Sequence, residues 1–408
     1  MLNGKNLVLC VTGGISAYKS VYLASKLKKL GANVITVMSK NAVKFVSPLT
    51  FKSVTANKVT VEMFDESDFI PHIKLSDLAD IVVVAPATAN IIAKAACGIA
   101  DDMISSLLLS VKSPILMVPA MNTNMYQNKI FQDNLDKIVE FGFHTITPAI
   151  GELACGTSGI GRFPEIDTVV GKIEKILYKK SPLFSGKKVV ITLGGTIEDI
   201  DPVRYICNGS SGKMGLAFAE EFILRGAEVS IIAGNVDELA LNKFRLKFPD
   251  IDGARVRSAK ELKEVLLKKE TFCDVIFMCA AVADYKPAYS ENKIKKTDEE
   301  LNLTLFRTED VVGGLNKSPN KLYIAFSAES ENLIANAYHK LLNKKVDFII
   351  ANETVGEKKA IGGDNAEVVL LNRWNDNLFK VEYSDKRSVS IKTLDEIEKI
   401  YLTSIHSS

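Results

Sequence analysis

The sequence predicts an α/β protein made of two Rossmann-like parallel-sheet domains, the second carrying a small antiparallel hairpin. One observation is a repeated pattern: an apolar strand, a Gly-Gly turn, a helix ending in Gly-Ala and a second apolar strand, first from Leu7 to Met38 and again from Val189 to Ala233. Another is that short β-branched runs alternate with helical stretches in both copies, the arrangement of a parallel sheet covered on two faces. The third is the stretch Lys179-Lys180-Ser181-Pro182-Leu183-Phe184-Ser185-Gly186, which reads as a linker over about 179–186 and sets domains at 1–180 and 181–408.

In the first domain, buried strands are expected at 6–11, 33–38, 80–85 and 115–118, with a weaker one at 143–147. Leu23, Leu27 and Leu30 mark one face of the first helix, and the stretch from Lys172 to Tyr178 closes the last. The glycine-rich segment from Leu153 to Arg162 is expected to be neither helix nor regular strand. The second parallel set is expected at 188–193, 228–233, 274–280, 322–326 and 346–351. Glu367–Leu371 and Leu378–Tyr383 then flank a polar turn as a hairpin, before a final helix from about 391.

The composition, 47% hydrophobic and 25% charged, suits a chain that is globular throughout. Lys plus Arg at 51 against Asp plus Glu at 49 leaves no long-range field for nucleic acid or an anionic membrane. No apolar run approaches the ~18 residues of a membrane span, and no cleavable leader precedes the first strand, so a cytoplasmic protein is expected. The six cysteines show neither CxxC nor Cys/His metal spacing. Cys10, Cys273 and Cys279 lie in or beside apolar strands and read as core residues, whereas Cys155 sits in the glycine-rich segment.

Neither Gly-Gly turn completes GxGxxG, and neither second strand ends in an acidic residue to hold a ribose diol, which argues against a dinucleotide dehydrogenase. Gly13-Gly14-Ile15-Ser16 with Ser39 reads instead as a monophosphate cradle or, on the residues alone, as a tight turn without a ligand. Gly209-Ser210-Ser211-Gly212-Lys213-Met214-Gly215 lacks the GxxxxGK[ST] order of a P-loop and is not read as an ATPase.

Taken in order, Gly13-Gly14-Ile15-Ser16-Ala17-Tyr18-Lys19, Pro71-His72-Ile73, Ala85-Pro86-Ala87-Thr88-Ala89-Asn90, Pro119-Ala120-Met121-Asn122 and Ala154-Cys155-Gly156 resemble the flavin-containing cysteine decarboxylases. Asp201-Pro202-Val203-Arg204-Tyr205-Ile206 with Asn208, Ala280-Ala281-Val282-Ala283-Asp284-Tyr285 and Lys293-Ile294-Lys295-Lys296 resemble the phosphopantothenate-cysteine ligases. The whole chain thus resembles the bifunctional phosphopantothenoylcysteine decarboxylase and phosphopantothenate-cysteine ligase family of bacterial coenzyme A synthesis. Ser16 stands where members often have Ala, and Leu193-Gly194 where they often have Ala-Gly.

For the first half, the resemblance implies FMN, held by Gly13, Gly14, Ser16, Ser39 and Thr88. Losing CO2 from an N-acylcysteine would leave an unstabilised carbanion, and oxidation of the CH2-SH group to a thioaldehyde supplies the electron sink. Cys155 is then the expected proton donor in the final reduction, His72 a base or carboxylate-orienting group, and Asn122 a carboxylate ligand. For the second half, the resemblance implies CTP and Mg2+, with 4'-phosphopantothenate and cysteine as the other substrates. Lys293 would stabilise the charge of acyl-cytidylate formation and Asn208 would hold that intermediate. Arg204 is a candidate for the intermediate or for the substrate phosphate, while Ala280, Asp284, Lys293, Phe326, Lys340 and Lys344 match nucleotide-contacting positions. Metal ligands are not assigned. The resemblance also implies a homo-oligomer, flavoprotein trimers joined through ligase dimers. The competing readings are an FMN-dependent peptidyl-cysteine decarboxylase, or a flavin-binding regulatory subunit, fused to a nucleotide-binding domain.

Overall fold

The computed structural model describes residues 2–63, 71–153, 156–296, 300–356 and 362–406. It divides into two compact units, Met1–Tyr178 and, for the most part, Lys179–Ser408. In chain order the first holds β1 (Asn6–Val11), α1 (Ala17–Lys29), β2 (Asn33–Met38), α2 (Pro48–Thr55), β3 (Val59–Thr60), α3 (Pro71–Leu78), β4 (Ile81–Ala87), α4 (Ala89–Cys97), α5 (Met103–Ser110) and β5 (Ile115–Pro119). It continues through α6 (Thr123–Gln127), α7 (Lys129–Glu140), β6 (His144–Thr145), β7 (Ala149–Glu152), β8 (Ser158–Arg162) and α8 (Ile166–Leu177).

The first sheet is parallel, in the order β3-β2-β1-β4-β5-β6. Successive side chains of a strand point to opposite faces, and here both faces are apolar. Leu7, Leu9 and Val11 of β1 pack with α1 and α2 residues such as Leu23, Leu27 and Phe51. Val8 and Cys10 pack on the other side with Ile92, Ile104 and Leu107 of α4 and α5. Each fully buried aliphatic side chain contributes about 1.5–3 kcal/mol of transfer free energy, which holds β1 at the centre. The expected strands form, with β4 reaching two residues further to Ala87.

The segment from Leu153 to Arg162 departs from expectation, because Ser158–Arg162 is a strand pairing antiparallel with β7. Its glycines are required by contact. A Cβ on Gly159 would lie 2.4 Å from Thr123 Oγ1, and one on Gly161 (φ +137°) 2.2 Å from the Met121 carbonyl oxygen. Both residues let the hairpin lie directly on the turn that starts α6.

The second unit holds β9 (Lys188–Leu193), β10 (Ile197–Asp199), β11 (Tyr205–Cys207), α9 (Lys213–Leu224), β12 (Glu228–Ala233), α10 (Glu238–Lys247), β13 (Asp252–Arg255), α11 (Ala259–Glu270) and β14 (Val275–Met278). After these come β15 (Tyr285–Pro287), β16 (Leu305–Arg307), β17 (Leu322–Glu329), α12 (Leu333–Asn343), β18 (Phe348–Glu353), β19 (Asn365–Asn372), β20 (Phe379–Asp385) and α13 (Lys386–His406). The main sheet runs β13-β12-β9-β14-β17-β18-β19-β20, parallel as far as β18 and then antiparallel. The expected hairpin is therefore the edge of this sheet, closed by Asn372, whose Oδ1 accepts from Trp374 N and Asn375 N. The final helix starts earlier than expected because Asp385 caps it, accepting from Ser388 N and Oγ at 3.0 and 2.6 Å. One face of the sheet is aromatic, with Phe218, Phe222, Phe277 and Phe326 in edge or tilted contact and centroids 4.7–5.7 Å apart. Among the described residues, no helix is long and apolar enough to cross a membrane.

Arg225, just past α9, ties that helix to α13. Its Nε donates to Glu221 at 2.8 Å and its Nη2 to Asp395 at 2.5 Å and Ile391 O at 3.1 Å, while Glu221 is 1% exposed. Arg225→Met would remove the cation beside the buried Glu221 carboxylate, and a loss of about 3–5 kcal/mol is expected in the urea unfolding of this unit. The double variant with Glu221→Gln should lose less than the sum of the two single changes. A loss below about 1 kcal/mol for Arg225→Met would mean that the pair behaves as a surface pair.

Candidate functional sites

The first cavity, about 860 Å³, opens at the carboxyl ends of β1, β2, β4 and β5. Thr12, at the end of β1, donates to Pro86 O at 2.7 Å and accepts from Thr88 N at 3.2 Å, so the exits of β1 and β4 are tied together. Gly13 admits the segment after β2, since a Cβ there would sit 2.4 Å from Asn41 Cβ. Ser39 Oγ accepts from Ala42 N at 3.2 Å, leaving its hydroxyl hydrogen to donate elsewhere. Ser16 and Thr88 occupy the N-cap positions of α1 and α4 without a side-chain capping bond. Gly13, Gly14, Ser16, Ser39 and Thr88 all line this cavity, and Asn122 joins them. Asn122 also caps α6, its Oδ1 accepting from Asn124 N at 2.9 Å.

The rest of the wall is largely apolar, including Val61, Met63, Met103, Ile104, Met121 and Phe163. The glycines and hydroxyls of the strand exits together with these apolar side chains fit a planar ring system bearing a phosphate, and the volume is that of a cofactor site. The structure does not bring His72 into this cavity. His72 sits half-buried on α3 with its Nδ1 buried and without a hydrogen-bond partner among the described residues. Cys155 lies outside the described residues.

Sequence reasoning missed Lys94, Asp101 and Asp102 on the cavity wall. Lys94 Nζ donates to Asp101 at 2.5 Å and Asp102 at 2.7 Å, and Asp102 forms a capping box with Ser105 at the start of α5. Burial opposes the charge of Lys94, but the two carboxylates outweigh it and hold its pKa above the usual lysine value. The Asp-x-x-Ser spacing ahead of an apolar run was the available signal. Arg162 also lines the wall near Lys19, and burial together with Arg162 pushes the Lys19 pKa down.

The second cavity, about 310 Å³, gathers Asn208, Ala280, Asp284, Phe326, Lys340 and Lys344. Asn208 Nδ2 donates to Ala281 O at 3.3 Å and Val282 O at 3.1 Å, fixing the loop before α9 to the exit of β14. Phe326 is set by Phe218 and Phe277 behind it. Lys340 Nζ donates to Glu329 at 2.6 Å, and Lys344 Nζ is 3.7 Å from Asp310 Oδ1. These two lysines are therefore held by carboxylates from outside their helix.

Arg204 and Lys293 do not line this cavity. They are linked to each other through Ile294: Arg204 Nη2 donates to its carbonyl at 3.0 Å, and buried Asp201 accepts from its N–H at 3.1 Å and from Arg204 N at 2.8 Å. Residues 210–215, set aside as a P-loop, do line the cavity, and so do Cys279, expected in the core, and Lys386. The glycines in this stretch have contact reasons. Gly212 (φ +72°) would place a Cβ 2.7 Å from Val236 Cγ1, and Gly215 one at 2.4 Å from Leu193 Cβ, so α9 can start hard against β9. Among the described residues, no group of three or more His, Cys, Asp or Glu side chains could hold a metal ion.

Two parallel sheets, each with a cavity at the carboxyl ends of its strands, define a nucleotide- or flavin-binding α/β protein. The Flavoprotein family model matches residues 1–178, and that of the DNA/pantothenate metabolism flavoprotein C-terminal domain matches residues 184–401. The chain is 39% identical to the coenzyme A biosynthesis bifunctional protein CoaBC of Bacillus subtilis (strain 168) over 402 residues, 97% of each chain. It is 36% identical to the CoaBC protein of Haemophilus influenzae over 405 residues, 98% of each. A crystal structure of the C-terminal domain of a CoaBC protein is 29% identical, covering 54% of this chain and 98% of that one, with a TM-score of 0.42. The chain belongs to the family of bifunctional coenzyme A biosynthesis proteins CoaBC.

Burial opposes ionisation of Glu329, but Lys340, Ser327 and Asn336 hold its pKa below the usual glutamate value. Its stabilising contribution is therefore full above pH about 4.3 and fades as pH falls through the depressed pKa. Glu329→Gln should lower the melting temperature at pH 7 and lose less on acidification than wild type, the two curves converging once pH falls below the depressed pKa. Parallel curves across the acid limb would show that the carboxylate is not held.

Proposed function

We propose that this protein carries out two consecutive steps of coenzyme A biosynthesis. The second unit joins 4'-phosphopantothenate to cysteine with CTP through an acyl-cytidylate, and the first decarboxylates the product and returns it to 4'-phosphopantetheine. The observation that carries this reading is full-length identity to the bifunctional relatives, combined with a separate cavity in each unit.

In the first unit, FMN would be held by Gly13, Gly14, Ser16, Ser39 and Thr88, and supplies a two-electron acceptor that later returns the electrons. Asn122, on the same cavity, would donate amide hydrogens to the substrate carboxylate without protonating it, so that it stays ionised and can leave as neutral CO2 while the C–C electron pair moves into the thioaldehyde. Cys155 protonates the carbon in the last step. His72 lies off the cavity of its own chain, which supports a site completed by a neighbouring subunit and hence a homo-oligomer; the resemblance implies flavoprotein trimers joined through ligase dimers. In the second unit, Lys340 and Lys344 would face the nucleotide phosphates, and Asp284 would offer one carboxylate oxygen to a Mg2+ ion held chiefly by those phosphates. Asn208 holds the acyl-cytidylate for attack by the amine of cysteine. Lys293 lies off this cavity in its own chain, on the loop clamped by Asp201 and Arg204, and brought up to the α-phosphate it would meet charge as it develops there.

The test is incubation of the full chain with 4'-phosphopantothenate, cysteine, CTP and Mg2+, with mass detection of 4'-phosphopantetheine and identification of the flavin released by acid. Absence of product from a folded, flavin-loaded sample would overturn the reading. Cys155→Ser should release CO2 for a single turnover and stop at the unsaturated enethiol, whereas His72→Asn should release none. Normal turnover by Cys155→Ser would remove it as the proton donor.

The ligase roles separate in a quenched reaction without cysteine. Asn208→Asp should still accumulate acyl-cytidylate, while Lys293→Gln, losing about 3 kcal/mol of transition-state stabilisation, should not. Equal accumulation in both variants would refute the division of roles.

A further inference from the structure

Two lysines of the second unit stand where elementary electrostatics disfavours them. Lys386 is the first residue of α13 and Lys213 the first of α9. The amino end of a helix carries partial positive charge, which repels a cation in the first turn. Lys386 is moreover only 7% exposed. Both line the second cavity.

Of the two, among the described residues, Lys213 is paired with carboxylates and Lys386 is not. Lys386 Nζ donates to a neutral acceptor, Gly363 O, and among the described residues no carboxylate lies within ion-pair distance of it. Its neighbour Arg387, by contrast, is paired with Glu220. Asp364, among the described residues the one carboxylate felt by Lys386, is 83% exposed and is bonded to Lys213 Nζ at 2.7 Å. Asp237 lies 3.9 Å from Lys213. The remaining group facing Lys386 is the thiol of Cys279, whose pKa burial pushes up to about 12, so it stays neutral at pH 7. Burial and the Lys213 charge together push the Lys386 pKa below the usual lysine value. A buried cation beside a second cation, in a cavity open to a ligand, is a local arrangement that an anion would complete.

We propose that Lys386, supported by Lys213, is an anion-binding residue that takes a phosphate oxyanion of a ligand in the second cavity. This rests on the ligase reading above for the identity of the ligand, which brings either a nucleotide triphosphate or the phosphate ester of the acyl substrate. Neither lysine was among the residues expected from sequence to contact a ligand.

Calorimetric titration of the full, flavin-loaded chain with CTP, cytidine, 4'-phosphopantothenate and pantothenate tests it. Lys386→Met should weaken one of the two phosphorylated ligands at least tenfold, without weakening its unphosphorylated counterpart, and Lys386→Arg should recover most of the loss. A loss confined to CTP assigns the nucleotide phosphates, and one confined to 4'-phosphopantothenate assigns the acyl substrate. Affinities equal to wild type for both overturn the proposal. Should Lys386→Met fail to fold, Lys213→Met decides, with at least a threefold loss expected for the same ligand and no change overturning it. Wild type binding neither ligand would sink the ligase reading, and inorganic triphosphate then becomes the probe. It should raise the melting temperature of wild type but not of Lys386→Met, and equal shifts would overturn the subsite itself.

Discussion

Both cavities depend on one constraint, a first strand buried on two faces. Leu7 to Val11 of β1 are fully buried, and in β9 the residues from Val189 to Leu193 are at most 3% exposed. A strand packed on both sides has no polar side chain to spare for chemistry, so reactive groups collect where the backbone leaves the sheet. The two units solve the exit in the same way. Thr12 Oγ1 accepts from Thr88 N beyond β4, and Thr192 Oγ1 accepts from Ala280 N beyond β14, both at 3.2 Å. A buried hydroxyl at the end of the first strand thus sets the distance between the two loops that form the floor of each cavity. Close glycine contacts, Gly13 with Asn41 and Gly215 with Leu193, then bring the third wall in.

Charge around the cavities is handled in two ways. Lys94 and Lys340 are each held by carboxylates, which fixes where the ammonium sits before any ligand enters. Exposed ion pairs contribute about 0–1 kcal/mol to stability, so the consequence of such pairs lies in position. Preorganised donors need no rearrangement when charge develops near them, which is the condition under which electrostatic stabilisation is largest. Lys386 is the opposite case, with no carboxylate of the described residues within ion-pair distance and a place at the amino end of a helix.

The division of labour between the halves also has a physical basis. The first cavity is the larger and is lined by many apolar side chains, room for a planar ring, whereas the second is smaller and lined by Lys213, Lys340, Lys344 and Lys386. Oxidation-reduction of a thiol needs an electron-accepting ring in a water-poor slot. Activation of a carboxylate needs fixed cations around phosphates.

The sequence by itself determined the two parallel sheets, because a strand covered on both faces must be written as a continuous apolar run, and such runs are legible without knowing the neighbours. It also determined part of the cavity walls, since strand-exit loops are adjacent to those runs: Gly13, Ser39, Thr88 and Asn208 lie just beyond strand ends. The tertiary structure alone decided the rest. Ser158–Arg162 became a strand because Thr123 and Met121, distant in sequence, leave no room for side chains on Gly159 and Gly161. It gave Lys340 and Lys344 their carboxylate partners, clamped Lys293's loop through Ile294, kept His72 off its own chain's cavity and brought Lys386 in beside Lys213. Local propensity acts over a few residues, whereas a charge is paired or stranded by whatever the packing of distant elements sets within about 4 Å of it.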